Sequence, residues 1–201
     1  MLGAKIKAEH ENFIDNFLLT ICDKISDSLH KINMTPNIVT TIGFISALLS
    51  YYFLYYYKIQ YFAPLYILAY FCDCLDGFMA RKYKQTSQFG DYYDHFTDIT
   101  QIVMYVYILY KRYEIFKHPK IILLSSIMFI LLMITQGCQE KLMKKENTSK
   151  ILSSYQFLCF AKLKERIGFL KFFGAGTNTL YFTLIGVYLW ALKMKKIKPL
   201  F

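Results

Sequence analysis

The sequence predicts an all-α integral membrane protein. We expect a polytopic helix bundle of five to six transmembrane helices with an amphipathic helix at its N-terminal side. Three observations support this fold class. Hydrophobic residues make up 55% of the 201 residues, and the mean hydropathy of +0.28 is high for a soluble domain. The apolar residues form long blocks, and residues 38–57 contain no charged side chain. Such a block can cross a bilayer core of about 30 Å.

The first helical segment is amphipathic and too charged to cross a membrane. Residues 9–32 carry seven charged side chains. Apolar residues nevertheless recur at helical spacing between Ile14 and Ile32. We therefore expect residues 1–34 to form an interfacial amphipathic helix, and residues 35–201 to form one membrane domain.

The remaining apolar blocks predict five membrane spans, at residues 37–57, 61–82, 90–111, 119–139 and 172–193. Residues 151–161 are also apolar but too short to cross alone. They are interpreted either as a sixth, weakly marked span or as a re-entrant or interfacial segment. Basic residues occur on both sides of the spans, so the positive-inside rule does not fix the side of the C-terminus.

The charge and cysteine content narrow the class of partner. The net charge is +10, and the basic residues separate the apolar blocks instead of forming a domain of their own. This pattern favours anionic membrane lipids and gives no reason to expect nucleic acid. The five cysteines are an odd number without CxxC pairs, so no disulfide framework is expected.

Four aspartates lie at the junction of the second and third predicted spans. Asp73 and Asp76 are separated by three residues on one span, and Asp94 and Asp98 by four on the next. Carboxylates are costly inside a membrane and therefore indicate a functional site. Two helices joined by a short loop can bring these faces together. Hard divalent cations such as Mg²⁺ would relieve the repulsion, because they prefer oxygen ligands and also bind phosphates.

Neighbouring residues fit a phosphate-bearing ligand. Gly77 and Gly90 leave room for a ligand to approach the backbone, and Arg81 offers a bidentate fork to phosphate. The main rival interpretation is a proton relay or ion site in a transporter.

The whole pattern resembles the signature of the CDP-alcohol phosphotransferases. That signature reads Asp-x-x-Asp-Gly-x-x-Ala-Arg, eight residues, then Gly-x-x-x-Asp-x-x-x-Asp. All eight signature positions match, and they are Asp73, Asp76, Gly77, Ala80, Arg81, Gly90, Asp94 and Asp98. The resemblance implies a helical membrane bundle, usually of six spans, with its site facing the cytoplasm. In a eukaryote the membrane would be of the endoplasmic reticulum type.

The resemblance also implies a reaction and a role for each residue. The enzyme would be a transferase of phospholipid biosynthesis that moves a substituted phosphate from a CDP-alcohol to a hydroxyl group and releases CMP. Asp73, Asp76, Asp94 and Asp98 would hold two divalent ions, Mg²⁺ or Mn²⁺, and Asp98 would also be the catalytic base. Asp73, Asp76 and Asp94 would also bind the substrate. The other substrate-binding residues would be Gly77, Ala80, Arg81, Ser87 and Gly90.

The donor and the acceptor are less well determined by the sequence. The run Gln85 to Gly90 and the Phe96-Thr97-Asp98 triplet resemble phosphatidylinositol synthases, which favours CDP-diacylglycerol as donor and inositol or a similar small polar alcohol as acceptor. Ile99 departs from that subgroup, which usually has arginine there. Lys162, Lys164, Arg166 and Lys171 are candidates for an anion pocket that receives a phosphorylated acceptor.

Two alternatives stay open. Residues 35–40 and the Asp94-His95 pair resemble choline and ethanolamine phosphotransferases, which use diacylglycerol as acceptor but are usually much longer chains. The other alternative is a non-catalytic membrane protein that retains the motif. Relatives are commonly homodimers, so a homodimer is compatible with the resemblance.

Overall fold

The structure, a computed structural model, describes residues 2–143, 149, 152–160 and 165–197. Over these residues the chain is helical and contains no strand, which confirms the predicted all-α class. The α-helices are α1 (Phe13–Lys31), α2 (Pro36–Tyr55), α3 (Ile59–Lys82), α4 (Gln88–Tyr113), α5 (Pro119–Leu142), α6 (Ile167–Leu170) and α7 (Ala175–Ile197).

Polar side chains set the starts of three helices. Asn12 caps α1 by accepting a hydrogen bond from the backbone N–H of Ile14. Thr35 caps α2, where Pro36 occupies the first turn and has no N–H to leave unpaired. Ser87 caps α4. These caps satisfy backbone donors that the first turn of a helix cannot pair internally.

The long helices alternate in direction, so the bundle has two ends. At one end, which we call the site end, α3 finishes beside the start of α2, and Thr40 contacts Asp76. At the opposite end, the Tyr113 hydroxyl donates to the carbonyl of Leu54, and Lys193 pairs with Glu114 at 3.1 Å. The helices α2 and α4 therefore run away from the site end, as does α7, while α3 and α5 run towards it.

Three apolar clusters of buried residues stabilise the described part of the chain, and the smallest joins α5 to Cys159 and α6. The largest joins α2, α3, α4 and α7 in the half opposite the site end and centres on Tyr51, Phe62 and Tyr105. The remaining cluster joins α1, α2 and α3 at the site end, where Cys22 packs with Phe78 and other buried residues. The face of α1 turned away from this cluster exposes Phe13 and Phe17, and Ile32 is exposed just after the helix.

The helices coincide with the predicted membrane spans. Three of them, α2, α3 and α5, are long and apolar enough to cross a bilayer by length and composition. The predicted spans at 90–111 and 172–193 correspond to α4 and most of α7. Within 151–161 the described residues form a 3₁₀-helix, Leu152–Leu158, which at roughly 2 Å per residue is too short to cross alone. The exact number of passes stays a prediction.

The prediction that the cysteines form no disulfide framework needs one correction. The structure pairs Cys138, near the end of α5, with Cys159, just after the 3₁₀-helix, while Cys22, Cys72 and Cys74 are free. The sequence could not show this pair because the two cysteines meet only when the 3₁₀-helix folds back on α5. Gly137 allows that approach, since a β-carbon there would lie 2.2 Å from the carbonyl oxygen of Tyr155.

Asp15 of α1 is buried where α1 meets α3 and α7. Its carboxylate accepts a hydrogen bond of 2.5 Å from the Tyr70 hydroxyl and one of 3.4 Å from the backbone N–H of Gly176. Burial disfavours the ionised form and raises the pKa of Asp15 from 3.8 to about 7, although the hydrogen bond from Tyr70 opposes the shift.

This shift predicts how Asp15 makes stability depend on pH. Between pH 4 and about 7 the unfolded chain has released this proton and the folded protein retains it, so the contribution of Asp15 to stability falls as pH rises through that window. Asp15→Asn cannot ionise and should lose this decline. Thermal unfolding in detergent at pH 4.5 and pH 8 measures this decline. The melting temperature of Asp15→Asn, relative to that of the wild type, should be higher at pH 8 than at pH 4.5. An unchanged difference between the two proteins at both pH values would contradict the assignment.

Candidate active site

The site end brings three carboxylates together. Asp73 and Asp76 lie in the last part of α3, and Asp94 lies in the first turns of α4. One oxygen from each carboxylate lies within 4.8 Å of those of the other two. The short loop between α3 and α4 reverses the chain and makes this possible. We call Asp73, Asp76 and Asp94 the aspartate triad.

Asp98 lies beside the triad and outside it. It follows Asp94 by one turn on α4, deeper in the bundle, and its oxygens do not belong to the group within 4.8 Å. An ionised Asp98 would be repelled by the charges of all three triad members. The structure therefore groups three of the four predicted aspartates tightly and places the fourth next to them.

The hydroxyl of Thr40, which the sequence did not identify as a site residue, holds one member of the triad. Thr40 of α2 is buried and donates a hydrogen bond of 2.5 Å to Oδ2 of Asp76. Its hydroxyl also lies 3.1 Å from the carbonyl oxygen of Pro36. α2 thus forms a third wall of the site, since it packs against both α3 and α4. The sequence feature that could have indicated Thr40 is the pair of threonines at 40 and 41 in an otherwise apolar span.

A cleft opens over the triad between α2, α3 and α4. Its wall is polar near the carboxylates, where Thr97 is buried and donates to the carbonyl of Asp94. The lining residues are Thr40, Gly43, Phe44, Ala69, Asp73, Asp76, Asp94, Thr97 and Gln101. A ligand in this cleft would contact the triad directly.

Arg81 lies close to Gly77, one turn earlier on the same helix. A β-carbon at Gly77 would stand 3.1 Å from Nη1 of Arg81 and 3.5 Å from Nη2, so the glycine leaves the space that the guanidinium fills. Its Nε donates a hydrogen bond of 2.7 Å to the carbonyl oxygen of Gly3. Ala80, the remaining signature residue of α3, is partly buried.

Ser87 and Gly90 meet at the start of α4. The Ser87 hydroxyl accepts a hydrogen bond of 3.0 Å from the backbone N–H of Gly90. A β-carbon at Gly90 would lie 3.1 Å from that hydroxyl and 3.2 Å from Oδ1 of Asn37. Ser87, which the sequence predicts to contact phosphate, thus also caps α4.

The candidate anion pocket is only partly visible. Lys162 and Lys164 lie outside the described residues. Lys171 donates to the backbone carbonyl of Glu9 at 2.9 Å, and Arg166 precedes α6. The structure therefore neither assembles nor excludes this pocket.

The triad fits a divalent cation. Three ionised carboxylates at this distance repel one another, and of the three the Thr40 hydroxyl contacts only Asp76. Carboxylate oxygens are the ligands that Mg²⁺ and Mn²⁺ prefer. Asp73, Asp76 and Asp94 could hold such an ion.

The family model of the CDP-alcohol phosphatidyltransferases matches residues 33–192. The chain belongs to this family. No curated protein and no solved structure matches the chain. Membership confirms the resemblance seen in the motif, and makes the protein an integral membrane transferase of phospholipid synthesis. The family acts on a CDP-alcohol donor and an alcohol acceptor and depends on divalent metal.

The hydrogen bond between Thr40 and Asp76 can be tested by replacing the hydroxyl. Thr40→Val keeps the shape but removes the donor, and loss of such an outer partner typically weakens metal affinity about tenfold or more. Thr40→Ser retains a hydroxyl and should bind close to the wild type. Mn²⁺ titration followed by electron paramagnetic resonance measures both. Equal affinities for the valine and serine variants would show that the hydroxyl does not orient Asp76.

Proposed function

We propose that the protein is a phosphatidyltransferase that uses CDP-diacylglycerol as donor and a small polar alcohol, such as inositol, as acceptor. The observation that carries the proposal is the aspartate triad, whose oxygens lie within 4.8 Å of one another beside Gly77 and Arg81. The site would face the cytoplasm, where the soluble acceptor is available.

The donor side would be built by α3 and the start of α4. Gly77, Ala80 and Gly90 would line the site of the CDP moiety, and Gly77 would leave room for the guanidinium of Arg81, which would bind the diphosphate. Ser87 would contact the same phosphates at the start of α4, where backbone N–H groups also favour anions.

The aspartates would hold two divalent ions, Mg²⁺ or Mn²⁺, through Asp73, Asp76, Asp94 and Asp98. When bound, such ions neutralise charge on the diphosphate and on the departing CMP. The protein's own contribution would be positioning, because phosphoryl transfer depends mainly on alignment and charge stabilisation.

Asp98 would be the general base. It lies one helical turn beyond Asp94, outside the group of three carboxylates that lie within 4.8 Å of one another. It would take the proton of the acceptor hydroxyl, whose oxygen attacks the phosphorus distal to cytidine. The bond from that phosphorus to the bridging oxygen breaks, and CMP leaves with the electron pair.

The choice of donor rests on residues 85–90, which form the end of the loop before α4 and the first residues of α4. Gln85, Ser87, Phe89 and Gly90 follow the pattern of phosphatidylinositol synthases, whereas Ile99 departs from it. The second candidate, a choline or ethanolamine phosphotransferase, is favoured by residues 35–40, of which Thr40 takes part in the site.

The donor can be determined by CMP release. Purified protein with Mg²⁺ or Mn²⁺ should release CMP from CDP-diacylglycerol when a polyol such as inositol is present, and not from CDP-choline or CDP-ethanolamine with diacylglycerol. Activity only with the latter donors would replace the proposal with the second candidate. No release from any donor would favour a non-catalytic protein.

The base can be tested by removing only its ability to accept a proton. Asp98→Asn should lower turnover at least a hundredfold, because general base catalysis typically contributes that much or more. CDP binding should largely survive, since the triad and Arg81 are intact. The control is Asp27→Asn. Asp27 is an exposed acid near the C-terminal end of α1, and its variant should turn over at the wild-type rate. Transfer at the wild-type rate by Asp98→Asn would remove Asp98 as the base.

A further inference from the structure

A segment outside the family match lies against the candidate donor site. Residues 2–10, which we call the N-terminal segment, run from the end of α3 towards α5 and α1. Gly3 of this segment is buried, and its carbonyl oxygen accepts the hydrogen bond from Nε of Arg81 at 2.7 Å. The family match begins only at residue 33. The carbonyl group of Gly3, which holds Arg81 of the signature, therefore lies outside the family match.

The contact at Gly3 is specific for glycine. A β-carbon there would lie 2.6 Å from the carbonyl oxygen of Phe78 and 2.8 Å from its ring, and both belong to the core side of α3. The backbone of Gly3 has no positive φ, so the restriction is steric. Any larger residue must move this segment away from α3 and from Arg81.

Arg81 is oriented as a result. With Nε held by Gly3, its two Nη atoms lie next to Gly77, a signature glycine. An arginine side chain that is not held in this way has many rotamers, and a ligand that binds it must restrict them at a cost in entropy. Holding the side chain in place beforehand favours binding of the ligand, because less freedom is lost.

The N-terminal segment is also fixed at its other contacts. Lys5 pairs at 2.6 Å with Glu140 of α5, whose side chain is fully buried. The Lys5 side chain is 22% exposed, so the ion pair joins a partly exposed ammonium group to a buried carboxylate. Lys171 donates to the carbonyl of Glu9, and Gln139 donates to Glu11 just beyond the segment. These contacts hold the segment against α3 and α5 together.

We propose that the N-terminal segment is part of the donor-binding site, and that the Gly3 carbonyl is a positioning group that presents the Arg81 guanidinium to the diphosphate of the CDP-alcohol. The ion pair between Lys5 and Glu140 anchors the segment on α5. This inference rests on the proposed function, since it assigns the diphosphate to Arg81.

The test measures CDP binding to the full chain in detergent, by calorimetry with Mg²⁺ present. Gly3→Ala should weaken CDP binding about tenfold, the lower end of the effect of losing a charge-assisted hydrogen bond. Gly168→Ala is the matched control, because a β-carbon there meets nothing within 4 Å. Lys7→Gln, an exposed change in the same segment, should also bind like the wild type.

A double-mutant cycle separates positioning from a general structural effect. If Gly3 acts through Arg81, Gly3→Ala should have no further effect on CDP affinity in an Arg81→Ala background. An equal tenfold loss in both backgrounds would show that Gly3 acts on the fold instead. Tighter CDP binding by Gly3→Ala would show that the segment competes with the ligand for Arg81. Either result overturns the proposal.

A second pair of variants keeps the test valid if Gly3→Ala does not fold. Lys5→Gln alone leaves Glu140 buried without a partner, whereas Lys5→Gln with Glu140→Gln removes both charges. The double variant should fold, release the anchor and raise the donor KM about tenfold with kcat largely retained. An unchanged donor KM would contradict the anchoring role. If the wild type binds no CDP, the proposed function fails, whereas binding that is equal in wild type and variants refutes only the role of the segment.

Discussion

Repulsion among carboxylates is the constraint around which the site end is organised. Asp73, Asp76 and Asp94 present oxygens within 4.8 Å of one another at the end of a largely apolar bundle. Charges so placed are costly unless they are paired or bound to a cation. The surrounding structure holds them in spite of that cost: Thr40 fixes Asp76, α2 packs against both helices that carry the triad, and Asn12 and Ser87 set the helix starts nearby. Such preorganisation of like charges is what a divalent metal site requires.

The same end of the bundle also collects buried polar contacts from α1 and from residues before it. Asn12 donates to the carbonyl of Lys171 and to Thr177, which ties the start of α1 to the start of α7. Asp15 bonds to Tyr70, which precedes Asp73 by one turn. α1 is therefore joined to α3, which carries Asp73 and Asp76, by a hydrogen bond as well as by its apolar face. Its position in the membrane interface stays a prediction.

The sequence predicted the helical class, the approximate limits of the long helices and the eight motif residues, because hydrophobic periodicity and motif spacing are local properties. It did not predict Thr40, since a threonine in an apolar span gives no sign of which neighbour it meets. The contacts of Gly3 with Arg81 and of Cys138 with Cys159 were missed for the same reason. Each joins parts of the chain whose distance depends on tertiary packing. For Asp98 the sequence gives the spacing from Asp94, but it does not show that the side chain lies outside the group of three close carboxylates.

The central claim is that the triad forms a divalent metal site shared with the CDP diphosphate. Electron paramagnetic resonance of Mn²⁺ tests it directly, because the free ion gives a sharp signal that is lost on binding. With the wild type, addition of CDP should deepen the loss of free signal, since metal and diphosphate would stabilise each other. Asp94→Asn should abolish that effect. A free Mn²⁺ signal that is unchanged by the wild-type protein, with or without CDP, would contradict the account.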